Sequence, residues 1–163
     1  MNDSSQRSLF DDGVPRDRPT SAIANIDGGS RGNPGPAAFG AYISLPDSPP
    51  VEVKGFIPHS TNNVAEYNGL LAALRWAVEH RISKLHIRAD SELLVKQMKG
   101  VYRVKHPGLL PLYEEAKRLA RVVGQVTFEH VRRELNTEAD RLANLAMDEG
   151  VPAKEAHGAA DTI

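Results

Sequence analysis

Four acidic residues stand at points where the sequence pattern changes from one predicted element to the next. Asp27 and Asp90 each end a strand-like run, Glu66 lies in the first turns of a helical run, and Asp140 begins the last helical run. In an α/β sheet, the ends of the elements line the crevice. Mg²⁺ prefers a few carboxylates, and two ions about 3.5 to 4 Å apart can clamp the attacking and leaving oxygens of a phosphodiester. If the four acids converge, they form a ligand set for metal-assisted phosphodiester chemistry.

Each of these acids also has a purely structural interpretation. The segments NVAE and TEAD, which end at Glu66 and Asp140, have the spacing of helix capping boxes. Asp90 precedes a helix that it could cap, and Asp27 precedes two glycines, as a turn residue often does. For each acid taken singly, the structural interpretation is at least as good as the catalytic one, so spacing alone leaves both open.

The elements that must position these acids follow from hydrophobic periodicity. Alternation of apolar residues predicts strands over residues 22–27, 38–45, 51–59, 84–90 and 125–131. A period of about 3.6 residues predicts helices that begin near residue 62, over 91–100, near 109–120 and over 137–149. Three consecutive strands indicate an antiparallel meander, and the crossover helices that follow place two parallel strands beside it. The prediction is an α/β fold: a mixed five-stranded sheet flanked by helices on both faces.

Composition limits the class of protein. The chain has 163 residues, with 40% hydrophobic and 25% charged, which is typical of one globular domain. We predict a flexible arm over residues 1–20, the folded domain over 21–149 and a flexible tail over 150–163. A chain without cysteine has no disulfides and no thiolate metal ligands. No run has the composition of a signal peptide or a membrane span, so we expect a cytoplasmic protein with no membrane partner, and a monomer by default.

Net charge is compatible with a nucleic-acid enzyme. The formal charge of −1 excludes a strongly basic protein that coats nucleic acid non-specifically. Clustered carboxylates contribute negative charge locally, while basic groups elsewhere can still face a phosphate backbone.

Four segments around the acids closely resemble the signature segments of type 1 ribonuclease H. They are IDGGSRGNPGPAAFGAYI, STNNVAEYNGLLAAL, IRADSELLVKQMKG and RRELNTEADRLANLAM, and together they span about residues 21–149. The resemblance implies a ribonuclease H-like fold and Mg²⁺-dependent endonucleolytic cleavage of the RNA strand of an RNA/DNA hybrid, with Mn²⁺ as a substitute. By the same resemblance, Asp27, Glu66, Asp90 and Asp140 match the family's acidic metal-binding tetrad.

The resemblance also suggests a role for each acid. As a hypothesis, Asp27 bridges two ions, Glu66 and Asp90 hold the ion on the side of the attacking water, and Asp140 holds the ion on the leaving-group side. The products then carry 5′-phosphate and 3′-hydroxyl ends. Two alternatives are a catalytically silent hybrid-binding module and another metal-dependent nuclease of the same fold. The complete tetrad argues against the first, and the segments DGGSRGNPG and TNNVAE argue against the second.

Candidate substrate-binding residues cluster in two segments. The glycine-rich loop over residues 28–35 permits positive φ angles and close approach of its backbone to a ligand. In the family the matching loop lies in the minor groove of the hybrid, where 2′-hydroxyl groups distinguish RNA from DNA. The second segment is the N-terminus of the first helix, where free N–H groups favour an anion, although simple N-capping is a rival role. The candidates are Gly28, Gly29, Asn33, Thr61, Asn62 and Asn63.

The segment before Asp140 departs from the family pattern. Many relatives carry a histidine in a mobile, glycine-containing loop here, whereas this chain reads EHVRRELNTEAD. His130 matches that histidine only if it lies outside the fifth strand, which we do not expect. A shortened loop in which Arg132 or Arg133 takes the auxiliary role is the preferred interpretation.

Overall fold

The computed structural model of this chain describes residues 20–150. The predicted arm and tail lie outside these residues, apart from Thr20 and Gly150. In the described part of the chain the strands are β1 Ser21–Ser30, β2 Gly35–Leu45, β3 Ser48–Ser60, β4 Lys84–Ala89 and β5 Gln125–His130. The helices are α1 Asn62–Glu79, α2 Glu92–Met98, α3 Leu110–Val123 and α4 Thr137–Gly150, with a 3₁₀ turn at Arg133–Leu135. Across residues 20–150 we find no helix with the length and apolar content that crossing a bilayer demands.

The strands form one mixed five-stranded sheet in the order β3-β2-β1-β4-β5. The pairs β1–β2 and β2–β3 are antiparallel, while β1–β4 and β4–β5 are parallel, so the predicted sheet is confirmed. The register of the central parallel pair matters most for function. Ile26 of β1 lies opposite Ala89 of β4, and the residues that follow them, Asp27 and Asp90, therefore emerge side by side at the same edge of the sheet.

Helices cover both faces of the sheet. On one face, Ala24, Ile26 and Ile43 pack in a buried cluster with Leu70 and Leu74 of α1. Each fully buried leucine of this kind stabilises the fold by roughly 1.5 to 3 kcal/mol.

The opposite face of β2 packs against α4. Ala38 lies in a second, smaller cluster with Ala146 and Met147. A side chain at Gly40 would collide with the backbone of Ala139, so glycine at this position lets α4 lie directly on β2. The Asp140 end of this helix is thereby held close to the middle of the sheet.

The first strand is longer than predicted. The sequence suggested that β1 ends at Asp27 and that a loop begins at Gly28, but Gly28 and Gly29 continue the antiparallel ladder with β2, and the loop is confined to residues 31–34. Gly28 has a steric role, because a Cβ atom there would overlap the carbonyl group of Ala65. The glycine thus allows the first turn of α1 to approach the strand that carries Asp27.

The third strand also starts earlier than predicted. The sequence predicted that this strand begins at residue 51, but it begins at Ser48, and the turn before it is limited to Pro46 and Asp47, where Asp47 has a φ of 54°. The two following prolines lie inside β3, which is an edge strand of the sheet. An edge strand tolerates proline because one side of its backbone needs no ladder hydrogen bonds.

Candidate active site

All four predicted acids line one open cleft. Asp27, Glu66, Asp90 and Asp140 border a volume of about 590 Å³ at the edge of the sheet where β1 and β4 end. Each acid comes from a different part of the chain: Asp27 from β1, Glu66 from the second turn of α1, Asp90 from the residue after β4, and Asp140 from the first turn of α4. The fold therefore gathers side chains that are far apart in sequence.

The helix caps beside the cleft are supplied by hydroxyl side chains. Thr61 caps α1, because its Oγ1 accepts a hydrogen bond of 3.2 Å from the backbone N–H of Val64. Ser91 caps α2 in the same way, with a bond of 3.2 Å from Leu94 N–H to its Oγ. The interpretation of NVAE as a capping box and of Asp90 as a cap is therefore wrong.

The remaining two structural interpretations are also wrong. Asp27 lies within β1 and pairs with Gly40 of β2, so it is not a turn residue. At the start of α4, the backbone N–H of Asp140 donates to the carbonyl of Asn136 at 3.1 Å. This bond places the start of the helical hydrogen bonding at Asn136, one residue before the TEAD segment that was considered as a capping box.

Burial and mutual repulsion keep the Asp27 carboxyl protonated. Its pKa rises from 3.8 to about 8, first because burial disfavours the charged form, and then because the charge of Asp90 and a hydrogen bond with the Asp140 carboxyl act in the same direction. The N–H of Gly28 donates to this carboxyl and opposes the shift. At neutral pH the metal-free cleft therefore retains a proton that a cation can displace.

Glu66 is affected in the same way, to a smaller extent. Burial, followed by the nearby charge of Asp90, raises its pKa from 4.5 to about 7, while the hydroxyl of Ser91 donates a hydrogen bond that lowers it. Ser91 thus contacts two structures at once, the N-terminus of α2 and the carboxyl of Glu66. This arrangement joins the Glu66 and Asp90 parts of the cleft.

The cleft has the donor chemistry of a site for a hard divalent cation. Its acidic ligands are oxygen donors, which Mg²⁺ and Mn²⁺ prefer over nitrogen or sulfur. Within residues 20–150, no three His, Asp or Glu side chains already have a geometry that could hold an ion. The carboxylates therefore fit such an ion in chemistry and location, and they must turn toward it to complete its coordination. The raised pKa values of Asp27 and Glu66 are consistent with this, because burial and the repulsion between crowded acids both favour the neutral forms when no cation is bound.

Four of the six predicted substrate-binding residues line the cleft. These are Gly28, Gly29, Asn62 and Asn63. The side chain of Asn62 is oriented by β1: its Oδ1 accepts hydrogen bonds from the backbone N–H of Ser30 at 2.8 Å and from the Ser30 hydroxyl at 3.1 Å. The glycine-containing end of β1 and the N-terminus of α1 therefore form one wall of the cleft.

Asn33 and Thr61 do not line the cleft. The Oδ1 of Asn33 accepts a hydrogen bond of 3.1 Å from the backbone N–H of Asn62, so it fixes the loop to the start of α1. Thr61 acts as the N-cap of that helix, which is the rival role considered from the sequence. Both residues support the wall that Asn62 and Asn63 belong to.

The structure separates the three auxiliary candidates. Arg133 lines the cleft together with Asp140. Arg132 is 80% exposed and lies 3.7 Å from Glu134. His130 is an exposed residue at the end of β5, opposite Ala89, which confirms its prediction as a strand residue.

Sequence reasoning missed Asn136. This residue has no solvent-exposed surface, and both polar atoms of its amide group form hydrogen bonds inside the protein. An asparagine directly before a helix indicates only an N-cap, so the sequence carried no signal for a buried link between two elements.

Comparison with known proteins agrees with this architecture. Residues 25–146 match the family model described as Reverse transcriptase-like. The chain is 39% identical over 137 residues to Ribonuclease HI of Halobacterium salinarum, an alignment that covers 83% of this chain and 69% of that protein. It is 49% identical over 128 residues to the Bifunctional protein Rv2228c of Mycobacterium tuberculosis, covering 77% of this chain. The chain spans only about a third, 35%, of the length of that mycobacterial relative.

Solved structures give the same result. The N-terminal RNase H domain of the M. tuberculosis protein, solved as a fusion with maltose binding protein, has a TM-score of 0.79 and 46% identity, covering 83% of this chain and 99% of that one. LC11-RNase H1, solved in complex with an RNA/DNA hybrid, has a TM-score of 0.75 and 38% identity, covering 80% and 99%.

The sheet order and the acidic cleft, together with these likenesses, define the ribonuclease H class of fold. This chain belongs to the ribonuclease H family, and its sequence and structure group it with the type 1 members.

Proposed function

We propose that this protein is an endonuclease that hydrolyses the RNA strand of RNA/DNA hybrids with two Mg²⁺ ions, leaving 5′-phosphate and 3′-hydroxyl ends. The observation that carries the proposal is the convergence of Asp27, Glu66, Asp90 and Asp140 on one cleft, where none of them is a helix N-cap. The complex of LC11-RNase H1 with an RNA/DNA hybrid supports the choice of substrate.

The four carboxylates would hold the ions, with Mn²⁺ able to replace Mg²⁺. When bound, such ions supply positive charge that activates water and stabilises charge on the phosphate oxygens. Asp27 is presented from the interior of the sheet, since its strand is bonded to β2 on one side and β4 on the other. Asp90 raises the pKa of both Asp27 and Glu66, so its charge acts on both of these carboxyl groups in the cleft.

The wall formed by β1 and α1 would contact the hybrid. Gly29 lets the backbone approach sugar groups closely, where 2′-hydroxyls identify the RNA strand, while Gly28 keeps α1 against this part of the wall. Because Oδ1 of Asn62 accepts from Ser30, the NH₂ group of its amide can donate to a hydroxyl or phosphate oxygen. Asn63 lines the same wall.

We assign the auxiliary role to Arg133, since it lines the cleft next to Asp140. Arg31 is the other cationic side chain among the described cleft residues, and it forms an ion pair of 2.9 Å with Asp148. Arg133 is therefore the better placed cation to approach a substrate phosphate. The cytoplasmic location and the monomeric state stay predictions from the sequence.

One experiment tests the proposal. The purified protein is incubated with end-labelled RNA/DNA, RNA/RNA and DNA/DNA duplexes of one sequence, with Mg²⁺ or with EDTA. The expected result is cleavage of the RNA strand of the hybrid in Mg²⁺ only, with no product from Asp27→Asn. Hybrid binding without cleavage would indicate a silent binding module, and cleavage of DNA/DNA would indicate another nuclease of this fold.

A further inference from the structure

One buried polar side chain is bonded to the segment of β1 that leads into Asp27. Asn136 has 0% exposure, and its Nδ2 donates a hydrogen bond of 2.9 Å to the backbone carbonyl of Ile26, the residue before Asp27. Its Oδ1 accepts a bond of 2.9 Å from Nδ2 of Asn25. The Asn136 side chain is thus bonded to two consecutive residues of β1.

The same residue directly precedes α4. The backbone carbonyl of Asn136 accepts the N–H of Asp140 at 3.1 Å. One residue is therefore joined through its side chain to the strand that carries Asp27 and through its backbone to Asp140 itself. We propose that Asn136 is a positioning residue that sets the separation of the Asp27 and Asp140 carboxylates, and thereby the affinity of the cleft for a divalent cation.

The chemistry of the amide explains why asparagine suits this place. The carbonyl of Ile26 needs a donor and the NH₂ group of Asn25 needs an acceptor, and an amide supplies both from one short side chain. Since a buried polar group without a hydrogen-bond partner is destabilising, this pairing favours a single orientation of the side chain. An amide also adds no charge beside the crowded carboxylates.

Other contacts that attach α4 to the sheet fix the position of the helix less tightly than the Asn136 hydrogen bonds. The contacts of Ala146 and Met147 with Ala38 are apolar and lie further along the helix, and apolar packing is non-directional. The ion pair between Arg141 and Glu52 involves side chains that are 43% and 45% exposed, and exposed pairs constrain geometry weakly. The Asn136 link differs from these contacts because its side chain is fully buried and bonds directly to the strand that carries Asp27.

The inference rests on the proposed function, because it concerns cation binding by the same carboxylates. The test measures Mn²⁺ binding by isothermal titration calorimetry on the full chain. The variants are Asn136→Ala, which removes both side-chain bonds, and Asn25→Ala, which removes one. The control is Leu119→Ala, a core truncation in α3 outside the cleft lining that lowers the Tm of the protein through the cavity it leaves.

We expect Asn136→Ala to weaken Mn²⁺ binding on the order of tenfold, as for other residues that orient metal ligands. Asn25→Ala should weaken it about fivefold, which corresponds to about 1 kcal/mol, the net value of a single hydrogen bond, because Asn136 keeps its bond to Ile26. Leu119→Ala should bind Mn²⁺ like the wild type despite its lower Tm. In cleavage assays, Asn136→Ala should need more Mg²⁺ for half-maximal rate, with an unchanged KM for the hybrid.

Each outcome decides the proposal. Unchanged Mn²⁺ affinity in a folded Asn136→Ala protein would show that the residue is only structural, and so would an equal loss of affinity in Leu119→Ala. If Asn136→Ala does not fold, Asn25→Ala decides in its place: weaker binding supports the inference and unchanged binding overturns it. A wild type that binds no Mn²⁺ refutes the proposed function itself, and that result is distinct from any difference between the variants.

Discussion

Replacing Asp27 with asparagine should stabilise the metal-free protein at alkaline pH while it removes activity. The folded state holds a proton on Asp27 up to a pKa of about 8, whereas the unfolded chain releases it near 3.8. The resulting contribution to stability is fully present below pH 3.8, declines as the pH rises between these values, and is lost above about pH 8. Asparagine stays neutral, so this decline should be absent from the variant.

The magnitude follows from the two pKa values. One pKa unit corresponds to about 1.4 kcal/mol, so the difference between 3.8 and about 8 sets an upper bound of about 6 kcal/mol. Water that enters the open cleft screens the charges and reduces this value. We therefore expect Asp27→Asn to exceed the wild type by roughly 2 to 3 kcal/mol in free energy of unfolding at pH 9, and by much less at pH 4.

Urea unfolding in EDTA at several pH values between 4 and 9 measures this difference. Glu79→Gln, which removes an exposed acid at the end of α1, is the matched control and should follow the wild-type pH dependence. If the free energy of unfolding of Asp27→Asn does not exceed that of the wild type at pH 9, or exceeds it equally at pH 4 and pH 9, protonation of Asp27 does not control the stability of the metal-free protein. Glu66, with its pKa of about 7, contributes in the same direction and remains in both proteins.

Three further predictions concern other parts of the cleft. Millimolar Mg²⁺ or Mn²⁺ should raise the Tm of the wild type by linkage, but not that of Asp27→Asn; equal shifts in a melting experiment would contradict the ligand assignment. Arg133→Ala should lower kcat on the order of tenfold, because a cation near the substrate phosphate is removed. Arg132→Ala alters an exposed residue and should keep a kcat close to that of the wild type. A larger loss in Arg132→Ala than in Arg133→Ala in cleavage assays would reject Arg133 as the auxiliary residue. Ser91→Ala should lower the free energy of unfolding by about 1 kcal/mol, because the N-cap of α2 is lost; an unchanged urea midpoint would contradict this. The same variant should raise the pKa of Glu66 further, because the Ser91 hydroxyl lowers that pKa in the wild type. An unchanged Glu66 titration by NMR would contradict this second effect.

Periodicity predicted the order of strands and helices, because alternation and the 3.6-residue repeat reflect burial directly. It failed where a residue's backbone partner lies elsewhere in the chain. Gly28 and Gly29 have no side chains to show alternation, and they are strand residues only because Phe39 and Ala38 pair with them. The prolines after Ser48 look like turn residues in sequence, yet the edge position of β3 accommodates them.

For the candidate site too, the sequence predicted the residues but not their arrangement in space. The types and spacing of the four acids, read with the resemblance, predicted which residues to examine. Their convergence depends on the parallel register that brings Ile26 opposite Ala89, and local sequence does not determine that register. The choice of Arg133 over Arg132 and the buried role of Asn136 depend on side-chain direction in three dimensions, which no pattern of adjacent residues encodes.

Whether the four acids bind divalent metal together is tested most directly by a crystal structure of the wild-type protein soaked in Mn²⁺, with anomalous diffraction recorded to locate the metal. We predict anomalous peaks within the cleft, from ions coordinated by oxygens of Asp27, Glu66, Asp90 and Asp140. Anomalous density elsewhere on the protein, or a cleft without a peak while a hybrid is bound, would contradict it.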